Sequence, residues 1–137
     1  MLTENDVVDA VADLLVGIGY RIDQRLTTVE RGVDIDAVQI ATGKRLLVEA
    51  KGGTSSKETS NRFGKAFTPN QAKSHIAVAF YCVAKLRQES LRAGAAVALA
   101  LPDDKVHRLL IEKISESLRQ LKIKVFFVSE DRSVIEF

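Results

Sequence analysis

The sequence predicts an α/β fold with a mixed central sheet, and three observations carry that expectation. Near the N-terminus Val7, Val11, Leu14, Leu15 and Ile18 recur at helical spacing and form one apolar stripe. In the stretch 33–51 residues alternate with the two-residue period of a half-buried strand, on either side of a turn at Ala41-Thr42-Gly43-Lys44. Beyond position 94 the apolar segments 95–101 and 123–128 bracket a helical pattern, as strands covered on both faces do.

Taken in order, Thr3 is a helix N-cap with Asp6 three residues on, and Glu4 is well placed against the helix dipole. Gly17 and Gly19 end this helix before Tyr20. Residues 20–29 form a strand or extended arm, largely exposed because of Arg21, Asp23, Gln24 and Arg25. The hairpin follows. Asp34 and Asp36 share one face of its first strand, and Glu49 and Lys51 share one face of the second. A tight turn would put Asp36 opposite Glu49 and Asp34 opposite Lys51.

The stretch 52–70 is rich in Gly, Ser, Thr, Lys, Asn and Arg and lacks periodicity. A loop of this length is mobile or functional. It carries Lys57, Arg62 and Lys65 with Phe63 and Phe67 interleaved, a mixture suited to phosphate contact and base stacking. The competing reading is a solvated loop pinned by two phenylalanines. A second helix opens at Pro69 or Asn70, runs to about Arg92 and buries Ile76, Ala79, Phe80, Val83 and Leu86. Pro102-Asp103 then caps a third helix with Leu110, Ile114, Leu118 and Leu121 inward. The segment 134–137 is a short final edge strand.

With 137 residues the chain suits one domain with one core. A net charge of +2 excludes a global polycation, so any nucleic-acid contact must come from a local patch. The single cysteine, Cys82, excludes an internal disulfide and reads as a structural thiol in an apolar helix. The N-terminus lacks the charged and apolar regions of a signal peptide, and no apolar run reaches membrane-spanning length. A cytoplasmic protein without a membrane partner is expected. There is no Walker-type phosphate loop, no Cys/His zinc spacing and no Ser/His/Asp constellation.

The chemistry therefore falls to the hairpin. Crowded carboxylates repel one another unless a divalent cation sits between them, and Mg²⁺ prefers one or two such oxygens with water and substrate phosphate. A neighbouring ammonium can stabilise charge growing on phosphorus. The competing reading is a solvated salt bridge. Against it, these acids stand inside Val/Ile/Leu runs, where an unpaired charge is costly.

The opening helix ending in Gly19-Tyr20, the segment Gly32-Val33-Asp34-Ile35 and the segment Leu47-Val48-Glu49-Ala50-Lys51-Gly52 resemble the PD-(D/E)xK nuclease superfamily. Val33 stands where the proline of the motif's name would be. The resemblance implies a restriction-endonuclease-like αβββαβ core and metal-dependent phosphodiester cleavage, with DNA as the expected substrate. It makes Glu49 a ligand for Mg²⁺, or for Mn²⁺ in its place, and Lys51 the group that orients water or stabilises the transition state. Asp34 fits the neighbouring residues of the motif and Asp36 fits the spacing. Both are carried as metal ligands, Asp34 first. Gln71 matches the glutamine that some relatives project toward the site, and Lys73 is next in line for phosphate. Glu4 stands where some relatives place an extra carboxylate, with helix electrostatics as its competing role. His75 reads as a local polar residue and His107 as surface. Arg31, Lys57, Arg62, Lys65 and Lys73 are candidates for gripping the backbone. Base-specific cutting would need a homodimer, a partner subunit or the loop. The rival function is a non-catalytic nucleic-acid-binding or assembly module on the same fold.

Overall fold

The computed structural model describes residues 1–26, 33–55, 64–91 and 93–137. The elements in order are α1 (Glu4–Gly17), β1 (Tyr20–Arg25), β2 (Ile35–Gln39), β3 (Arg45–Ala50), α2 (Pro69–Ser90), β4 (Ala96–Pro102), α3 (Lys105–Glu112), α4 (Ser115–Gln120), β5 (Ile123–Val128) and β6 (Val134–Glu136). Up to β4 this is the αβββαβ order expected from the sequence. Among the described residues six strands form one sheet in the order β1-β2-β3-β4-β5-β6. The pairs β3/β4 and β4/β5 are parallel and the other three are antiparallel, so the sheet is mixed and open.

The chain's patterning assigns the two faces. On β4, Ala98 and Ala100 point to one side and Val97, Leu99 and Leu101 to the other, all fully buried. The alanine side packs against Val7, Val11 and Leu15 of α1. The larger side packs against Ile76, Ala79 and Val83 of α2, Ile111 of α3 and Leu118 of α4. Burial on both faces is why the strand is continuously apolar rather than alternating. Among the described residues no helix is long and apolar enough to cross a membrane.

Local chemistry ends the elements where they end. The Thr3 hydroxyl accepts from Asp6 N–H at 3.2 Å, and Asp6 Oδ2 accepts from Thr3 N–H at 2.8 Å, a reciprocal capping box. Gly43 turns the β2–β3 hairpin at φ 71°, a conformation open to glycine at little cost. The expected third helix is two. Ser115 Oγ donates to the Glu112 carbonyl at 3.0 Å, a side-chain bond that competes with the backbone ladder, and the chain restarts as α4. The break leaves Leu121 exposed, against the inward position expected for it, while Leu118 stays buried. His107, expected on the surface, is 2% exposed; it sits in the first turn of α3 with its ring drawn in by a contact from Nδ1 to the cap residue, Asp104, at 2.8 Å.

Candidate functional site

β3 lies inside the sheet, and its C-terminal end carries Glu49 and Lys51. The hairpin register differs from the one expected. Ile35 pairs with Val48 and Asp36 with Leu47, so one step further along the ladder sets Asp34, not Asp36, across from Glu49. The reason is the turn, in which the Gly43 N–H bonds the Gln39 carbonyl and the Gln39 N–H bonds the Lys44 carbonyl. This shifts every cross-strand pair by two residues relative to the tighter hairpin.

Asp34 is 7% exposed, and its Oδ2 accepts the Ala50 N–H at 2.7 Å. Burial raises its pKa, while the Ala50 hydrogen bond and Lys51 act to lower it. Glu49 is half-buried beside it. Burial first, then the charges of Asp34 and Glu4, push its carboxyl up to about 7, with Lys51 pulling the other way. Crowded, desolvated carboxylates hold protons that free ones release. Lys51 Nζ stands 4.0 Å from Glu4 Oε2, and both side chains are mostly covered. Glu4 is raised too, chiefly by burial. Glu4, Asp34, Glu49 and Lys51 thus form one electrostatically coupled corner where the first turn of α1 meets the end of β3.

Gly52 is what lets these two elements meet. A methyl group on residue 52 would stand 2.4 Å from the Glu4 nitrogen and 2.6 Å from the Thr3 carbonyl carbon. Only hydrogen fits there.

Other expected site residues lie elsewhere. Asp36 is drawn to the Arg45 guanidinium, which also contacts Asp23 at 3.4 Å, and it is absent from the charges that act on Glu49. Gln71 spends its side chain on the second capping box: its Oε1 accepts the Thr68 N–H at 2.9 Å, while Thr68 Oγ1 accepts the Gln71 N–H. The sequence Thr68-Pro69-Asn70-Gln71 carries that signal. Substituting Gln71 by alanine is therefore expected to cost about 1 kcal/mol of stability and to leave any cleavage rate within a few-fold of the parent. Thermal melting and a rate measurement on the same sample check both halves.

Lys65 and Lys73 are exposed and take no part in the corner's ion pairs among the described residues. Arg31, Lys57, Arg62 and Phe63 lie outside the described residues. His75 is closer to the chemistry than its sequence context suggested. Its ring meets Phe67 edge to face at 4.4 Å, and burial followed by the Lys51 charge keeps its pKa low. Cys82 is half-buried, its thiol pushed up by burial and by Glu49.

As a metal site the corner offers two hard carboxylates, Asp34 and Glu49, both raised chiefly by burial and Glu49 also by the Asp34 charge. Among the described residues no group of three His, Cys, Asp or Glu is gathered for a cation. Two oxygen donors are the number Mg²⁺ takes from protein when water and phosphate complete its octahedron. The donors fit a largely hydrated hard cation and do not form an all-protein cage.

By class this is a mixed α/β domain with an acidic, lysine-containing corner at the end of an interior strand. No protein-family model matches the chain, and no curated protein matches it. Among solved structures it is similar to Pyrococcus furiosus SfsA, determined in complex with Ca²⁺, at 16% identity and a TM-score of 0.41. The likeness covers 93% of this chain and 57% of that protein, so this chain spans little more than half its length.

Proposed function

We propose that the chain is a metal-dependent nuclease that cleaves DNA by attack of an activated water on phosphorus. The observation that supports this best is the convergence of Asp34, Glu49 and Lys51 at the end of β3, with the Glu49 carboxyl pushed up to about 7. A surface salt bridge has no reason to draw two carboxylates into partial burial, where desolvation disfavours the charged form of both and the Asp34 charge disfavours that of Glu49 further. Asp34 and Glu49 would hold Mg²⁺, or Mn²⁺ in its place. When bound, such an ion polarises a phosphoryl oxygen and acidifies water.

The protein's own residues do the rest. The Ala50 N–H anchors one oxygen of Asp34 and so fixes the carboxylate before substrate arrives. Lys51, steadied by Glu4, sets a positive charge where negative charge develops on the phosphoryl group. The first turn of α1, locked by its capping box and by the Gly52 contact, keeps Glu4 in place. Exposed Lys65 and Lys73 are candidate phosphate contacts, and Arg31, Lys57 and Arg62 join them from the sequence alone. Such contacts position a strand without reading its bases.

A paired substitution tests the site. Asp34→Asn is expected to lower magnesium-dependent cleavage on the order of 10²- to 10³-fold. Asp36→Asn, which loosens only the Arg45 pair, is expected to leave it within about threefold. Single-turnover rates on single-stranded, duplex and branched DNA measure both. Equal losses would return Asp36 to the site. Failure of the parent protein to cut any of these with Mg²⁺ or Mn²⁺ would leave the binding or assembly module as the better reading.

A further inference from the structure

α2 has two flanks of different character. His75 and Cys82, two helical turns apart and so on one side, feel the charges of the corner: Lys51 acts on the first, Glu49 and Asp34 on the second. Lys73, Ala77 and Phe80 share the opposite side. There they form one bank of a groove of about 370 Å³, and Leu110 and Ile114, where α3 gives way to α4, form the other. Ile76, 5% exposed, lies between the banks. Phe80, Leu110 and Ile114 rest on the core beneath and are only half-buried.

The charge around this groove has one sign. Lys73 stands on the α2 bank and Lys113 on the other, both are exposed, and neither has an acidic partner among the described residues. Ser117 is the remaining polar side chain of the lining, and among the described residues no carboxylate belongs to it. Apolar surface continues over both crests. Tyr81, one turn after Ala77, is 70% exposed, and Leu109, one turn before Lys113, is 49% exposed. A contiguous apolar patch rimmed by charge marks a surface that another molecule covers, and tyrosine is a frequent anchor in such contacts.

We infer that this groove docks an acidic amphipathic helix of a partner protein, with apolar side chains at i, i+3 and i+4 in the slot and carboxylates on both flanks of that stripe. An apolar furrow between two helices receives the stripe of a third. Its carboxylates meet Lys73 on one bank and Lys113 on the other, whereas a basic helix is repelled at both. The chain's own acidic helix, α1, cannot play this part in a second copy, because its apolar stripe is already buried in the core. A phosphodiester strand would find the two ammonium groups but nothing to bind in the apolar floor between them. Since groove and corner occupy opposite flanks of α2, the bound helix leaves the corner open, and the inference stands apart from the nuclease reading.

The probe is a capped, fluorescent peptide of two Glu-Leu-Ala-Glu-Leu-Leu-Glu repeats, set against a counterpart with lysine in place of every glutamate. Binding to the full chain in EDTA is followed by anisotropy and by the methyl resonances of Ile76, Leu110 and Ile114. We expect the acidic peptide to shift all three residues saturably and to bind on the order of tenfold more tightly than the basic one. Lys73→Glu combined with Lys113→Glu should invert that preference, which a loss of structure would not do. Ala77→Trp, at the exposed lip, should fill the slot and weaken both peptides without lowering the melting temperature. Equal binding of the two peptides, unmoved methyl groups or a preference that survives the double reversal would each overturn the inference. So would methyl shifts that grow with protein concentration alone, since a second copy would then be the occupant. Duplex DNA that displaces the acidic peptide and moves the same methyl groups would make the lysines phosphate contacts and overturn it as well.

Discussion

Glu49→Gln is expected to abolish magnesium-dependent cleavage, a loss on the order of 10³-fold, and at the same time to make the metal-free protein more stable near neutral pH. The two effects share one cause. The Glu49 carboxyl is raised from an ordinary value of 4.5 to about 7, by burial above all and by Asp34. Below about pH 4.5 the folded and unfolded chains both carry its proton, and no penalty exists. Between that pH and about 7 the unfolded chain ionises first, so stability falls as pH rises. Above about 7 the full penalty remains.

Allowing for the part of the carboxylate that still faces water, this penalty is on the order of 2 kcal/mol, or roughly 6 °C in melting temperature. The neutral amide does not incur it. Melting in EDTA should therefore show Glu49→Gln above the parent near pH 8, with the gap closing as pH falls toward 4.5. Added Mg²⁺ should raise the parent's melting temperature and leave that of the variant unmoved. A variant that melts at or below the parent across this range would mean that the carboxylate is a stabilising surface group, and the nuclease proposal would lose its main support.

Gly52→Ala is the second large effect, and it needs no assumption about chemistry. The added methyl group would press on the backbone of Thr3 and Glu4 at 2.4–2.6 Å, and a backbone cannot rotate aside as a side chain can. Overpacking of this kind costs about 3 kcal/mol. It should also part the Lys51–Glu4 pair and so depress cleavage in protein that remains folded. Gly53→Ala is the control, because its nearest neighbour would be a Pro102 ring carbon at 3.4 Å, an ordinary contact. Urea unfolding of the two variants side by side measures the difference. Equal stabilities would show that the first turn of α1 is free to move and that Glu4 is no fixed part of the corner.

Much of the fold was legible in the sequence because periodicity and caps are local. The stripe of α1, the Gly43 turn and the apolar β4 and β5 each announce themselves within a dozen residues. The carboxylates and lysine of the corner were legible as well, since charged residues inside Val/Ile/Leu runs demand a reason. The hairpin register was not, because it depends on which hydrogen bonds close the turn, and a shift of two residues preserves the same alternation. That shift moved Asp34 opposite Glu49 and left Asp36 to Arg45. Gln71 was legible in another sense, since the Thr-x-x-Gln box that engages it was there to be read.

Local patterning thus determined by itself the class of fold, the order of its elements up to β4 and the three charged side chains Asp34, Glu49 and Lys51 that meet at the corner. Tertiary packing alone decided that Glu4 joins Lys51, that Gly52 must lack a side chain and that His107 turns inward with one nitrogen unpaired among the described residues. These are contacts between segments far apart in the chain. Their geometry follows from how α1 and α3 seat on the sheet, and no short stretch of residues encodes that distance.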